Sequence, residues 1–443
     1  MKRIELTITA QAPLAIGQRK PGGSVSEAMD YIPGTVIRGA IAGKILQQAR
    51  AAGQITAAQP DLTQTDNDFR KLFLGDVVIF QNAYPAIAKL GDDEYLLSPC
   101  NTKVLPATAL SSKTDSGFKK SLDDENRGVF DSLIDSFCAR EHGLFYEPNS
   151  KEGDRVEPFG GFYSFYSDET EKLFTRYVSH SISKRLLTRV GINRKRATAQ
   201  DDILYSLEVM NESQGKATKH PTVYKSNLLI KDDTLAAELC TFISQNCDRF
   251  RLGGSASRGL GKVKLNAALV DIPDLEDAKQ AETVIVECKQ RVEAFNKCLK
   301  ERWEKWGLFG TSDYPIKEKT LFSIGLASEA ILVDNWRRTF ALSTDLLLQL
   351  TGVTNSDIKL EMAYSSYGYR SGWNAAWGLA KNVELVTKMG GVFLFSVPTA
   401  EEASWFEKLA KLEVNGIGER TSEGFGQIYI CDEFHQVFRE QPV

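Results

Sequence analysis

The sequence predicts an α+β chain of two ferredoxin-like halves with a long insertion in the first, and three observations carry that prediction. Residues 251–265, RLGGSASRGLGKVKL, and residues 415–430, NGIGERTSEGFGQIYI, share one glycine skeleton: Gly253, Gly259 and Gly261 align with Gly418, Gly424 and Gly426, and Ser257 aligns with Ser422. A device repeated at such separation suggests a repeated domain. Each half can be read in the order strand, helix, strand, strand, helix, strand, which is the ferredoxin-like order. At 443 residues the chain is also too long for one typical core, so two domains with insertions are expected.

The elements follow in order. Ile4, Leu6, Ile8 and Ala10 alternate with Glu5, Thr7 and Thr9, the period-two pattern of a half-buried strand. In YIPGTVIRGAIAGKILQQAR (31–50), Pro33 and Gly34 make a turn and Thr35 is the expected N-cap. Val36, Ala40, Ile41 and Ile45 then recur at helical spacing. Residues 54–183 are less regular and read as an insertion, with a strand in GDVVIFQNAYP (75–85) and a solvated loop at 111–128. DDILYSLEVM (201–210) and SNLLI (226–230) read as strands and 235–247 as a helix, after which the first glycine loop leads into KVKLNAAL. Residues 276–306 are helical by pattern, with Cys288, Val292, Phe295, Leu299 and Trp303 on one stripe, and are expected to link the halves. The second half predicts a strand in 320–332, a helix in 344–350, a strand at 391–397, a helix at 400–412, and the second loop with its strand. The expected division is 1–270, a connector 271–318, and 319–443.

Composition excludes several classes. Charged residues at 25% and hydrophobic residues at 42% match a soluble globular protein. No apolar run is long enough to span a bilayer, and MKRIELTITAQAP lacks a signal-peptide core. Seven scattered cysteines suggest reduced thiols, so a cytoplasmic protein without a membrane partner is expected. The net charge of −4 exerts no global pull on nucleic acid, so any such binding must come from local patches.

Two nucleotide readings of the glycine loops fail. A dinucleotide fingerprint runs strand, glycines, helix, whereas here a helix precedes and a strand follows. A P-loop needs lysine after its second glycine, and Leu260 stands after Gly259. What remains is a tight turn that tolerates positive φ, or backbone amides open to a phosphate backbone. For the latter, Gly253, Gly254 and Gly259 would be flanked by Arg251, Arg258, Lys262 and Lys264. The first loop has no acidic residue, while the second carries Glu419 and Glu423 against Arg420. The first suits a polyanion and the second reads as structural.

Two further stretches bear on nucleic acid. KRLLTRVGINRKR (184–196) has six basic residues and no acid: Lys184, Arg185, Arg189, Arg194, Lys195 and Arg196. The nearest downstream acids are Asp201 and Asp202, so full local neutralisation is not expected, and Leu186, Leu187, Val190 and Ile192 are expected to anchor the segment. Such an anchored basic ribbon suits an RNA backbone. Tyr364, Tyr367, Tyr369, Trp373 and Trp377 cluster around Arg370 among Gly368, Gly372 and Gly378. That pattern suits an irregular surface loop on which bases stack, or a packing cluster between the halves.

YIPGTVIRGA, GINRKRATAQDDILYSLE and GGSASRGLGKV together resemble the RAMP superfamily of CRISPR-associated proteins. SGWNAAWGLAKN and GGVFLFSV in the second half are similar to the two-domain Csx-type subunit of type III-D effectors, related to the group that caps the 5′ end of the guide. Lys381 stands where that pattern has proline. The resemblance implies RRM-like, ferredoxin-like RAMP domains in a prokaryotic, non-catalytic subunit gripping the 5′ tag of crRNA. Its partners would be the large polymerase-like subunit, the backbone RAMP subunits and, through the complex, target RNA. Arg38, in the first of these segments, joins the RNA-contact candidates.

Catalytic chemistry is the competing expectation. Guide-processing RAMP nucleases use His, Tyr or Lys for general acid–base work, and backbone subunits use an aspartate before the first helix. Asp30 is the candidate in that loop, and His142, His180, His220 and His435 are the histidines. Asp30 abuts Tyr31, which suits turn capping better. Cys138 and His142 have i, i+4 spacing, with Cys100 as a third group, yet no CxxC pair exists, so neither a metal nor a cofactor is expected. A protein-only scaffold is the third reading.

Overall fold

The computed structural model describes residues 1–18, 27–55, 61–64, 67–75, 77–89, 95–97, 102–120, 127–148, 155–167, 175–193, 198–215, 218–354, 356–374 and 378–443. Among them are seven α-helices: α1 (Gly34–Ala51), α2 (Asp68–Leu74), α3 (Leu133–Glu141), α4 (Asp233–Gln245), α5 (Ala278–Trp306), α6 (Thr344–Thr351) and α7 (Glu402–Asn415).

The first strand, Lys2–Ala10, buries Ile4, Leu6 and Ile8 as its alternation requires. It lies between Lys262–Asp271 and Val223–Ile230, antiparallel to both, and Val78–Phe80 pairs on the far side of Val223–Ile230. With α1 and α4 as its helices, this half has the ferredoxin-like strand order. The second half repeats it: Lys359–Tyr364, Val392–Pro398, Lys319–Leu326 and Ile428–Ile430 lie side by side in that order, with α6 and α7 between them in sequence. The α+β class holds for both halves.

Three local expectations change. Helix α1 starts two residues early: Pro33 is its N-cap, and Asn82 Oδ1 accepts from Gly34 N–H at 2.9 Å in place of a Thr35 cap. Val78–Phe80, inside the stretch read as insertion, is an edge strand of the first sheet. The inserted chain beyond it builds its own five-stranded and three-stranded sheets, with α3 between their strands in sequence.

That inserted helix does not stay with the first half. Leu133, Ile134, Phe137 and Cys138 of α3 share one core with Cys288, Val292, Phe295 and Leu299 of α5 and with the second sheet. Arg302 of α5 donates twice to the buried Asp135 carboxylate, at 2.7 and 2.8 Å, a bidentate clamp. Residues 276–306 are therefore a layer of the second core as well as a connection.

The C-terminal segment closes over the insertion through His435, which lies 3.2 Å from Asp131 with both side chains buried. Burial pulls the imidazole down, but the Asp131 and Asp432 carboxylates outweigh it and raise it above its ordinary value of 6.5. A raised folded-state value contributes stability below the unfolded value and loses it as pH rises through the folded one. Thermal stability is therefore expected to fall as pH rises from just above 6.5, and melting curves of His435→Gln should show a flatter pH dependence over that window.

Candidate nucleic-acid interface

From Gly253 and Gly418 onward the two glycine loops repeat the same left-handed positions. Gly253, Gly259 and Gly261 have φ of 85°, 86° and 84°; Gly418, Gly424 and Gly426 have 79°, 92° and 68°. Between them Ser255 and Arg420, at 56° and 59°, both occupy the left-handed region without being glycine. Each loop donates back to the turn after its half's first strand, Gly254 N–H to Ala15 O at 2.8 Å and Glu419 N–H to Ile331 O at 2.9 Å.

Their surroundings differ. The second loop is docked: a Cβ on Gly424 would lie 2.7 Å from Phe80 O, and Glu423 O faces Gly34 at the start of α1. Arg420 donates to the Glu423 carboxylate at 2.6 Å and Lys381 approaches it at 3.4 Å, so its charges are spent inside the protein. Gly259, the counterpart of Gly424, would have no atom of the described residues within 4 Å of a Cβ. The surface that takes backbone contact in one copy is bare in the other.

That difference predicts unequal effects of alanine. Gly259→Ala is expected to cost only the left-handed strain, about 1–2 kcal/mol. Gly424→Ala adds a clash with Phe80 O and is expected to cost more, a ranking that equilibrium denaturation of the two variants checks.

Beside the bare loop stands a two-stranded ribbon, Lys184–Asn193 paired with Thr198–Met210. Leu187 and Leu207 face each other across it and pack with Val209 onto Leu260 and Ala15, which seats the ribbon on the loop. Leu187 is thus the anchor, whereas Leu186 and Val190, also expected to anchor, are 58% and 48% exposed because alternation turns them to the opposite face. The next pair outward is Arg189 opposite Tyr205. Arg258 of the loop reaches that pair: its guanidinium bonds the Tyr205 hydroxyl and lies 5.6 Å from the ring centroid, and Arg189 donates to Arg258 O at 3.4 Å. Arg258, Gly259 and Lys262 are solvent-exposed beside them. The result is a cationic, aromatic-backed shelf over bare backbone. Tyr205 escaped the sequence reading because its role depends on the ribbon's register.

Several other candidates are already engaged. Lys184 pairs with Asp30 at 2.8 Å, and Arg185 with Glu212 at 3.0 Å, so acids distant in sequence neutralise two of the six charges. Arg251 folds back onto Leu260 O at 3.1 Å, bracing the loop. Arg38 donates to Phe73 O and lies over the Phe73 ring. Arg194, Lys195, Arg196, Trp377 and Cys100 lie outside the described residues, and the Trp373 side chain is likewise not described.

Arg370 is a correction. It does not support bases at a surface: its side chain, mostly covered, reaches between the halves, paired with Glu329 and donating to the Tyr31 hydroxyl. The segment around it is not irregular either: Tyr367–Arg370 pairs with Glu384–Thr387 as a hairpin.

The catalytic and metal candidates have structural partners. His180 bonds Ser164 Oγ at 2.7 Å, and burial pushes its imidazole down to about 4. His142 Nδ1 lies 2.7 Å from Cys138 O, and no cluster of three metal-ligating side chains occurs among the described residues. No helix among them is long and apolar enough to cross a membrane.

Comparison with known proteins yields a family and distant folds. The RAMP superfamily profile matches residues 7–264. A chain in the cryo-EM structure of the type III-B Cmr-beta bound to cognate target RNA and AMPPnP is 12% identical over 92% of this chain and 93% of that one, with a TM-score of 0.37. Oligomeric Cmr4 from Pyrococcus furiosus is 12% identical over 61% of this chain and 100% of that one, with a TM-score of 0.25. No curated protein matches.

Proposed function

The chain belongs to the RAMP superfamily, and we propose that it is a non-catalytic RNA-binding subunit of a type III-D CRISPR effector ribonucleoprotein. It grips the 5′ tag of crRNA and bridges the large polymerase-like subunit to the backbone RAMP subunits, meeting target RNA through the complex. One observation carries the reading. The bare glycine loop is the twin of a loop that accepts backbone contact, and Arg258, Arg189 and Tyr205 converge above it. Closely approachable glycine backbone with guanidinium groups and a stackable ring suits single-stranded RNA.

Chemistry on this surface is not part of the reading. Asp30 is held by Lys184, and His180 is buried and neutral at physiological pH. Asp30→Ala is expected to leave target cleavage by the assembled complex unchanged, and loss of one cut site with assembly preserved would establish the ribonuclease alternative. The reading itself is tested by photocrosslinking complexes whose crRNA carries thiouridine in the 5′ tag. Crosslinked peptides from 184–210 or 251–264 are expected. Crosslinks confined to other subunits refute it.

A further inference from the structure

A cavity of about 420 Å³ lies between the halves, lined from Val223–Ile230 of the first sheet and from Ile428–Ile430 of the second. That size is within the range of small-molecule sites, which favour the seams between domains. In the first strand Tyr224, Leu228 and Ile230 join the core under α1 and α4, so alternation turns Lys225 and Asn227 to the other face. In the second, Ile428 and Ile430 join the core of α5 and α7, and Tyr429 faces away from it. The insertion supplies a third wall. Its Lys103 pairs with Asp432 at 3.3 Å and lies 5.4 Å from the Tyr429 ring centroid. Walls from three parts of the chain suit a small ligand better than a passing strand.

Most polar groups in the cavity are spent on one another. Tyr84 donates to Ala327 O, Ser226 Oγ to Gln81 O at 2.8 Å, and Gln81 Nε2 to Gln427 Oε1 at 2.9 Å. At Ile430 side chains close the outer edge of the second sheet. Glu413 accepts from the Ile430 N–H at 2.9 Å, Arg291 donates to its carbonyl at 3.1 Å, and the two pair with each other. Ile428 turns its N–H and C=O to that same outer side, because Gln427 O and Cys431 N–H bond inward to Ala327 and Ser323. No described residue bonds either group of Ile428. The Asn227 amide and the Tyr429 hydroxyl also lack a partner among the described residues, as does Nε2 of Gln427, a residue only 7% exposed. Burial pushes the Tyr429 hydroxyl up, so it remains a donor. Unspent groups gathered in one enclosed place call for an occupant.

We infer that this cavity is a binding site for a free nucleotide, held mainly by its base. Ile428 and Asn227 each present a donor beside an acceptor, and an amide of that kind meets a base edge with two bonds at once. Tyr429 adds a ring and a hydroxyl donor, and Lys225, on the face of Asn227, supplies a cation for the phosphate. A bare anion fits less well, because Lys103 and Arg291 are already paired with Asp432 and Glu413. A peptide strand fits less well too, because the Arg291–Glu413 pair closes the sheet edge at Ile430. The glycine loop and the basic ribbon contribute no residue to the cavity, so the inference stands apart from the RNA-binding reading.

Calorimetry on the full chain with each of the four ribonucleoside 5′-monophosphates tests this. At least one is expected to bind saturably, while ribose 5-phosphate and inorganic phosphate are expected not to bind. Asn227→Ala should weaken that binding about 10-fold, the loss of a bidentate amide contact. Tyr429→Phe, which removes a single hydroxyl, should weaken it about 5-fold. Without ligand both variants should melt as the parent does. Arg258→Glu with Lys262→Glu, outside the cavity, should bind the nucleotide as the parent does, so the two sites fail or stand separately. Binding of none of the four, or equal binding of ribose 5-phosphate, would overturn the site. Nucleotide binding that neither variant weakens would place the ligand elsewhere and overturn it as well. Lost RNA affinity with no nucleotide binding would give these groups to RNA instead. If Asn227→Ala unfolds, Tyr429→Phe decides alone.

Discussion

Replacing Arg258 and Lys262 together by glutamate is expected to weaken binding of single-stranded RNA on the order of 100-fold at low salt. Each residue supplies a charge-assisted contact worth about 1.5 kcal/mol at the low end, and about 3 kcal/mol is a factor near 100. The salt slope should flatten by about 0.7 per lost phosphate contact on a single strand. Folding should be almost untouched, within about 0.5 kcal/mol, because both side chains are exposed and the loop is shaped by its glycines and by Gly254 N–H on Ala15 O. Fluorescence anisotropy across a salt series, beside a melting curve, measures all three. Unchanged affinity would remove the first loop from the RNA site. Equal loss of stability would show that the charges serve the fold.

The glycine repeat was legible because positive φ favours glycine, so a geometry needed twice leaves mostly the same letters twice. Ser255 and Arg420 share that geometry without the letter, and no sequence reading finds them. The ribbon was half legible. Residues 201–210 carry enough apolar alternation to be read as a strand, whereas 184–193 hide theirs because basic and apolar residues share both faces. Arg370 was misplaced for a different reason. Its glycine neighbours suggest a loop, yet the chain is paired there, and adjacent residues of a strand face opposite ways. The signal was present in the alternation of Tyr367, Tyr369 and Arg370 but needed the strand to be recognised first. The merging of α3 with α5 leaves no local trace at all. Asp135 and Arg302 lie far apart in sequence, and only the fold brings the carboxylate to the guanidinium.

Arg370→Ala is expected to be the most destabilising single change considered for this chain, about 3–5 kcal/mol, because it strands a buried carboxylate. The Arg370 and Glu329 side chains are only 11% and 10% exposed, and Arg370 also spans the halves through Tyr31 and Met29. Burial already raises Glu329 above the ordinary carboxylate value, with Arg370 the main force holding it down. Without Arg370 the carboxyl is pushed further up. A raised carboxyl opposes folding above its folded-state value and ceases to do so once protonated, so the deficit should shrink as pH falls from 7 toward 5. Glu329→Gln in the Arg370→Ala background removes the stranded charge and should recover part of the loss at pH 7. Chemical denaturation of the parent, the single variant and the double variant at both pH values tests this, read from the first transition because a chain of two halves need not unfold in one step. A loss below about 1 kcal/mol, or one that does not change with pH, would mean that the pair is not the electrostatic tie between the halves. In that case Arg370 would be available to ligands after all, and its alanine variant should then lose RNA affinity without losing stability.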